Sequence, residues 1–353
     1  MAFLAGKIVL AVEAGAPNNG AGDTTTGRVK KTRIRGRYYP YVSAQAFRRW
    51  LRDTMTAAGS VPSPTERVGK AQGKAQKVTT NADPIRYVDD DLFGYMKATA
   101  KSTDEATTVR DTPFMVGTFL AVEPAQLTED FGVMSRNIPE PVLHSHEFYT
   151  ADLAAPFLFD IPRVGTFTLP GPSGSGRPNY LDEKTALGFA AAAQAGATTQ
   201  TFRGHTAVRL PLASRRERVA VLVEALAELA GGAKKALHYG DRVPALLAVV
   251  PMAGGVNPLG FVIDGAEDGT GLQVRGDVLR KELAAWQGEW EPPVLIGWRP
   301  GFRDVLRRRF EADLAEQIAA GQVVIDHPRT VLLALAARVR DGQHDAWFDD
   351  PAR

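Results

Sequence analysis

Strand-like and helix-like stretches follow one another in this chain without a regular strand–helix rhythm, and that irregularity constrains the fold most. A doubly wound parallel sheet needs the alternation; a chain that lacks it reads as α+β. Residues 6–13 (GKIVLAVE) form a β-branched run that suits a central strand. Residues 244–252 (PALLAVVPM) are a fully apolar strand, 113–123 a further strand, and 201–212 alternate as a strand does. Strand-like runs also fill 146–169, and 124–145 read as a projecting loop or hairpin. The clearest helix is 214–231 (SRRERVAVLVEALAELAG). Ser214 with Glu217 three positions on makes a capping box, and Gly231 suits the C′ position. Further helices are predicted over 44–58, 87–98, 185–195, 278–286, 301–320 and 328–341, with a short strand at 323–325. Residues 171–176 (GPSGSG) read as a flexible break.

At 353 residues, 44% hydrophobic and 23% charged, the chain can bury a sizeable core. It has no cysteine, which excludes disulfides and thiolate metal sites and fits a reducing cytosol. No apolar run approaches the roughly 20 residues that span a bilayer, so no membrane is expected. The opening MAFLAGKIVLAVEAG lacks a basic leader and reads as a strand.

The net charge is only +2, yet residues 28–52 hold nine Lys/Arg and no Asp or Glu. Such a local field attracts polyanions, nucleic acid first. A solvated basic face is the competing reading. Tyr38, Tyr39, Tyr41 and Trp50 are interleaved with the cations. Lys31, Arg33, Arg35 and Arg37 share one parity, which would place four cations on one face of an extended arm ended by Pro40. Ser43 then suits the N-cap of the 44–58 helix. On that helix Phe47, Trp50, Leu51 and Met55 make an apolar stripe, Gln45, Arg48 and Arg52 share one face, and Arg49 lies beside them. A second basic stretch, GGAKKA at 231–236, combines glycines that admit a close backbone with Lys234 and Lys235; an ordinary helix C-cap is its competing reading.

No serine-nucleophile elbow, Walker loop or dinucleotide glycine fingerprint is present. His144 and His146 have strand spacing, but no third ligand stands at a defined distance in sequence. Neither a metal nor another cofactor is therefore expected, and Asp89, Asp90 and Asp91 are read as capping a helix.

Several motifs in register resemble one family. Asn18, Asn19 and Asp23, then GRVKK (27–31), Gly36-Arg37 and VSAQAFRRWLR (42–52) resemble the N-terminal signature of the backbone subunit of type I CRISPR surveillance complexes. This is the seventh Cas family, within the RAMP superfamily, in its DevR-like, type I-B-like branch. DDDLFGYM (89–96) is similar to the family's LFG-containing helix, HEFYTADLAAPFLFDIPRVGTF (146–167) to its Glu-Phe/Tyr segment, and GGAKKALHYGDRVPALLAVV (231–250) to its Gly-Ala-Lys turn. The likeness spans about 6–255; the last hundred residues match no motif.

The resemblance implies a modified RRM-like (ferredoxin-like) palm over 1–353 with inserted fingers (59–112) and thumb (124–145). It implies a non-enzymatic cytoplasmic subunit that polymerises with copies of itself and other Cascade subunits along a CRISPR guide RNA. The subunit grips the RNA backbone and leaves bases free to pair with target DNA. Backbone-gripping roles carry over to Lys31, Ser43, Gln45, Arg48 and Arg52 and to Gly232, Ala233 and Lys234. Arg33, Arg35, Arg37, Arg49 and Lys235 complete the basic set. Phe131 and Met134 are read as a thumb wedge that enters between bases of the guide–target duplex or holds a flipped nucleotide, with packing at the thumb's own base or on a neighbour as the alternative. Two other functions stay open. One is a type III-like subunit cutting target RNA through Asp23 or Asp89 with a metal. The other is a guide-independent single-strand binder stacking bases on Tyr38, Tyr39 and Tyr41.

Overall fold

The computed structural model describes residues 1–20, 22, 26–68, 77–97, 108–134, 140, 142–168 and 186–350. The elements used below are, in chain order, β1 (Phe3–Gly15), β2 (Lys31–Ile34), β3 (Arg37–Val42), α1 (Ala44–Ala57), α2 (Val88–Phe93), β4 (Phe119–Ala121), β5 (Thr128–Met134), β6 (Val142–Asp160), α3 (Leu212–Ala227), β7 (Leu246–Met252), α4 (Gly276–Ala285), β8 (Val294–Trp298), α5 (Asp304–Asp313), β9 (Val323–Asp326) and α6 (Pro328–Arg340). The fold is α+β, as the irregular rhythm predicts. One large sheet runs β9-β8-β7-β1-β6-β4-β3-β2, and along that path the pairs are antiparallel except β8–β9. Within it β1, α1, β4, β6, α3 and β7 follow in sequence while the strands lie in the order β7-β1-β6-β4, which is a βαββαβ arrangement.

Both faces of the central strands are covered. On β1, Leu4, Ile8, Leu10 and Val12 face a core shared with α1, α3 and α6, while Ala5 and Val9 face a second core shared with α4 and α5. β7 does the same, with Leu247 and Val249 on one side and Leu246, Ala248 and Val250 on the other. A strand buried on both faces reads as a near-continuous apolar run, hence the unbroken PALLAVVPM. Gly6 is required here: a Cβ on it would stand 2.1 Å from the Phe157 ring. The C-terminal hundred residues, which matched no motif, thus extend the sheet through β8 and β9 and cover its second face.

Local expectations are corrected at several points. The basic arm is not one extended segment: Arg35 and Gly36 have φ of 48° and 82°, a two-residue turn that folds β2 onto β3. The capping box at Ser214 does not form, because α3 takes Pro211 as its N-cap, three residues earlier, and no side chain caps it. α3 ends at Ala227, so Gly231 lies beyond its cap. The helix expected over 87–98 stops at Phe93, where Gly94 turns with φ 68°, and continues as a short strand, Tyr95–Lys97. Over 113–123 the strand breaks into Phe114–Val116 and β4. Val116 pairs with Phe157 and Leu120 with Ala154, so four residues oppose three across a bulge. The helix over 301–320 is broken at the fully buried Leu314. Hairpins occupy part of 59–112, at Thr65–Val68/Lys77–Thr80 and Tyr95–Lys97/Thr108–Arg110, and β5 pairs with the start of β6 within 124–145. The 171–176 break lies outside the described residues.

The three consecutive aspartates do not cap α2; all are buried, Asp89 and Asp91 in ion pairs and Asp90 in hydrogen bonds. Asp91 pairs with Arg110 through one oxygen and with Arg218 of α3 through the other at 2.6 Å, and accepts from Gly165 N at 2.9 Å. Asp90 accepts from Ser63 Oγ at 2.7 Å. Charges this buried persist only when paired, and here the pairs tie the 59–112 insertion to the palm helices.

Candidate nucleic-acid interface

α1 begins where the sequence places it. Ser43 is its N-cap, its Oγ accepting from Ala46 N at 3.4 Å, and Phe47, Trp50, Leu51 and Met55 are buried. Gln45 and Arg49 are exposed, and Arg48 and Arg52 are half-buried. Arg48 Nε donates to Ala44 O at 3.3 Å; burial first, and the neighbouring Arg52 second, push its pKa below the ordinary arginine value. Exposed Arg49 is held by Asp53 at 2.8 Å.

The cations of 28–52 are thus not all uncompensated, and this is a further correction. Glu147 of β6 accepts from Lys31 Nζ at 2.6 Å and lies 4.0 Å from Arg28. Arg52 lies 3.4 Å from Asp89 and stacks over Phe93 at 4.7 Å. Burial depresses its pKa, and Asp89 opposes that shift. Glu147 and Asp89 stand far away in sequence, whereas Asp53 directly follows the segment. Among the described residues Lys30, Arg33, Arg35, Arg37 and Arg48 remain without a carboxylate partner. Arg33, Arg35 and Arg37 are exposed at the β2–β3 turn. Tyr38 there is 48% exposed with Lys31 Nζ 5.3 Å from its ring centroid, while Tyr39 and Tyr41 are half-buried, so three stacking rings are not presented together.

The second basic stretch packs directly on the first. A Cβ on Gly231 would meet Trp50 Cγ at 2.4 Å, so only glycine lets the turn lie on the indole. Thr54 Oγ1 accepts from Ala230 N at 2.9 Å. Gly232 (φ 95°) continues the turn, and Ala233 N donates to Pro17 O at 3.0 Å. The neighbouring Asn18 O accepts from Lys30 N at 3.0 Å. The Pro17–Asn18 backbone therefore joins the basic arm to the glycine turn. Lys234 extends over Gly27, its Nζ 2.4 Å from where a Cβ would be, and burial lowers its pKa. Lys235 is exposed and lines a cleft of about 440 Å³ between the ends of α1 and α3.

Arg242, which sequence reasoning left unmarked, and His146, weighed there only as a metal ligand, complete the floor. Arg242 is buried against Gly232, its Nε and Nη2 without a hydrogen-bond partner. His146 is buried between Lys234, His238 and Asp130, with His144 stacked 6.5 Å away. A glycine-opened turn followed by Arg was the one signal for Arg242.

On the β5–β6 hairpin, Phe131, Val133 and Leu143 share one face and are exposed, Phe131 by 72%. Met134 ends β5 opposite Val142. Of the proposed cutting residues, Asp89 is buried against Arg52 and Asp23 lies outside the described residues. No group of three or more metal-ligating side chains occurs among the described residues. No helix there is long and apolar enough to cross a membrane.

No family model matches the sequence, and no curated protein does. Among solved structures, a chain of a "CRISPR RNA-guided surveillance complex, pre-nicking" superposes with a TM-score of 0.54 at 10% identity, covering 96% of this chain and 100% of that one. A chain of a "CRISPR RNA-guided surveillance complex" gives a TM-score of 0.49 at 14% identity over 95% and 98%. At such identities the first likeness is one of fold.

Proposed function

We propose that this chain is the guide-RNA-binding backbone subunit of a CRISPR surveillance complex. It is a non-enzymatic, cytoplasmic protein with an RRM-like palm that polymerises along the RNA and presents it to target DNA. The observation that carries this reading is the seating of Gly231 on Trp50, which joins two basic stretches far apart in sequence into one surface. The sequence resemblance named those two stretches independently, and the fold likeness supports the same class.

On that surface Gln45, Arg48, Arg33, Arg35, Arg37, Lys234 and Lys235 offer donors to phosphates and sugars. Contacts of that kind position a strand without reading its sequence. The exposed Phe131 face of the β5–β6 hairpin serves as the wedge toward the guide–target duplex.

Expression of the full chain together with a guide-RNA source tests this. A discrete short RNA should co-purify, and the protein should elute as a multimer that nuclease digestion disperses. Monomers without RNA would refute the reading. Divalent-dependent cuts at regular spacing in a bound complementary RNA would favour the cutting alternative instead.

A further inference from the structure

β6 buries an imidazole that the fold leaves unsatisfied. His146 is 5% exposed, and neither of its ring nitrogens has a hydrogen-bond partner. A neutral imidazole carries one N–H and one bare nitrogen, so a position that could take a proton stands unused. Leaving buried polar atoms unpaired costs stability, and that cost calls for an explanation outside packing. The groups that face the ring come from every element around it. The turn after Gly231 brings Lys234 and His238, whose ring lies 4.8 Å away and whose Nε2 is unpartnered too. β5 brings Asp130, its Oδ2 3.6 Å from His146 Nε2. β6 itself brings His144, stacked at 6.5 Å. The 26–27 segment brings Gly27, which carries no charge and over which Lys234 Nζ extends. Arg242, buried in the same floor, adds a second cation with unpartnered nitrogens. The site is therefore short of negative charge, since Asp130 is exposed and its field is screened by water.

We propose that His146 is a proton site linked to the polyanion on the Lys234–Lys235 turn: the strand that settles there draws a proton onto His146, so the protein holds RNA more tightly as pH falls. The proposal rests on the guide-RNA reading above and adds a regulation to it. The cause is electrostatic. In the free protein burial and the Lys234 ammonium both disfavour the charged ring, and Asp130 offsets them only in part. A phosphate beside Lys234 supplies the negative charge that the site lacks and removes part of that penalty. Reciprocity then fixes the rest: if the strand raises the proton affinity of His146, the proton raises the affinity for the strand by the same factor. The sign follows. Well above the bound-state midpoint the ring is neutral with or without RNA, and pH has no effect through it. Between the bound and free midpoints binding takes up a proton, and affinity rises as pH falls through that window. An imidazole suits this role because its charge changes near neutral pH, whereas the lysines of the turn stay charged throughout.

The test uses the full-length protein and a synthetic strand of uridines, whose bases keep one protonation state over the range used. At fixed salt the strand should bind about three- to tenfold more tightly at about pH 6 than at about pH 8. Calorimetric titrations in two buffers of different ionisation enthalpy should show net proton uptake at the lower pH and none at the higher. Exchange of the imidazole C2 hydrogen, followed by mass spectrometry with and without the strand, reads His146 directly, and its midpoint should move up by about one pH unit on binding. His146→Gln should flatten the pH profile of binding, while His144→Gln keeps it. Melting temperatures at each pH control for folding, and the wild-type measurements decide the matter even where His146→Gln does not fold. A flat wild-type profile, a His146 midpoint that the strand leaves in place, or a profile lost equally in His144→Gln would overturn the proton site alone. If the wild-type protein binds the strand at neither pH, the guide-RNA reading itself falls.

Discussion

Arg52 is held by Asp89: the two stand 3.4 Å apart, and the guanidinium lies over the Phe93 ring. Asp89 is 5% exposed and begins the buried acidic run of α2. A residue that the sequence offers to RNA is therefore also the joint between α1 and the 59–112 insertion. Removing one partner of such a pair leaves the other charge buried. Arg52→Ala should lower stability by about 1–3 kcal/mol, whereas Gln45→Ala, at an exposed position of the same face, should not. Denaturant unfolding of both variants distinguishes the two roles; equal stability would show Arg52 to be free for RNA.

Arg33, Arg35 and Arg37 are the complementary case, exposed and without a carboxylate partner among the described residues. If about four to six cations of the surface touch phosphate, log K against log salt should fall with a slope of roughly −3 to −4 for single-stranded RNA. The triple variant to alanine should flatten that slope by about 2 and leave the melting temperature in place. A slope unaltered by the triple variant would place the strand elsewhere.

The contrast marks what was legible in the sequence. Periodicity found β1, β7 and α1, because burial on one or both faces dictates apolar spacing directly. It also put Gln45, Arg48 and Arg52 on one face. It could not find Glu147, 116 residues from Lys31, nor Asp89 opposite Arg52, because pairing across a sheet or an insertion leaves no local signal. The capping box at Ser214 failed for a local reason: Pro211 offered an earlier start. The C-terminal elements were read individually, but only the strand order shows that they close the second face of the sheet.

Asp91 provides the sharpest stability prediction. It is fully buried between Arg110 and Arg218, and both arginines are themselves almost fully buried. Asp91→Asn keeps the shape and removes the charge that both guanidiniums face. The loss should reach about 3–5 kcal/mol, read as a drop in the denaturation midpoint. A change below about 1 kcal/mol would mean that the carbonyls of Pro84, Ile85, Thr166 and Arg163 suffice for the two arginines.

His146 predicts a pH dependence. Burial, then Lys234 and His238, hold its pKa below the ordinary 6.5, against the pull of Asp130; His144 also disfavours its charge. A histidine whose folded pKa is depressed stabilises the fold in its neutral form. That contribution is complete above the unfolded value and is lost as pH falls through the window below it. Stability should therefore decline between about pH 7 and about pH 5, and His146→Gln, which cannot titrate, should show a shallower decline. Identical pH profiles for the two proteins would remove His146 as the cause.

The seating of the glycine turn on α1 can be tested as a coupling. Gly231 has φ of 146°, and a Cβ there would meet Trp50 Cγ at 2.4 Å and Cβ at 2.6 Å. Gly231→Ala must push the turn off the indole or displace the ring, at a cost of about 1–3 kcal/mol. Because Lys234 and Lys235 ride on that turn, RNA affinity should fall with it. Trp50→Phe shrinks the opposing surface and should absorb part of the clash. In a double-mutant cycle the two substitutions should then couple by about 1 kcal/mol, in both unfolding free energy and RNA affinity. Strict additivity in stability would show that the turn does not depend on the indole, and additivity in affinity alone would separate the turn's placement from its grip on RNA.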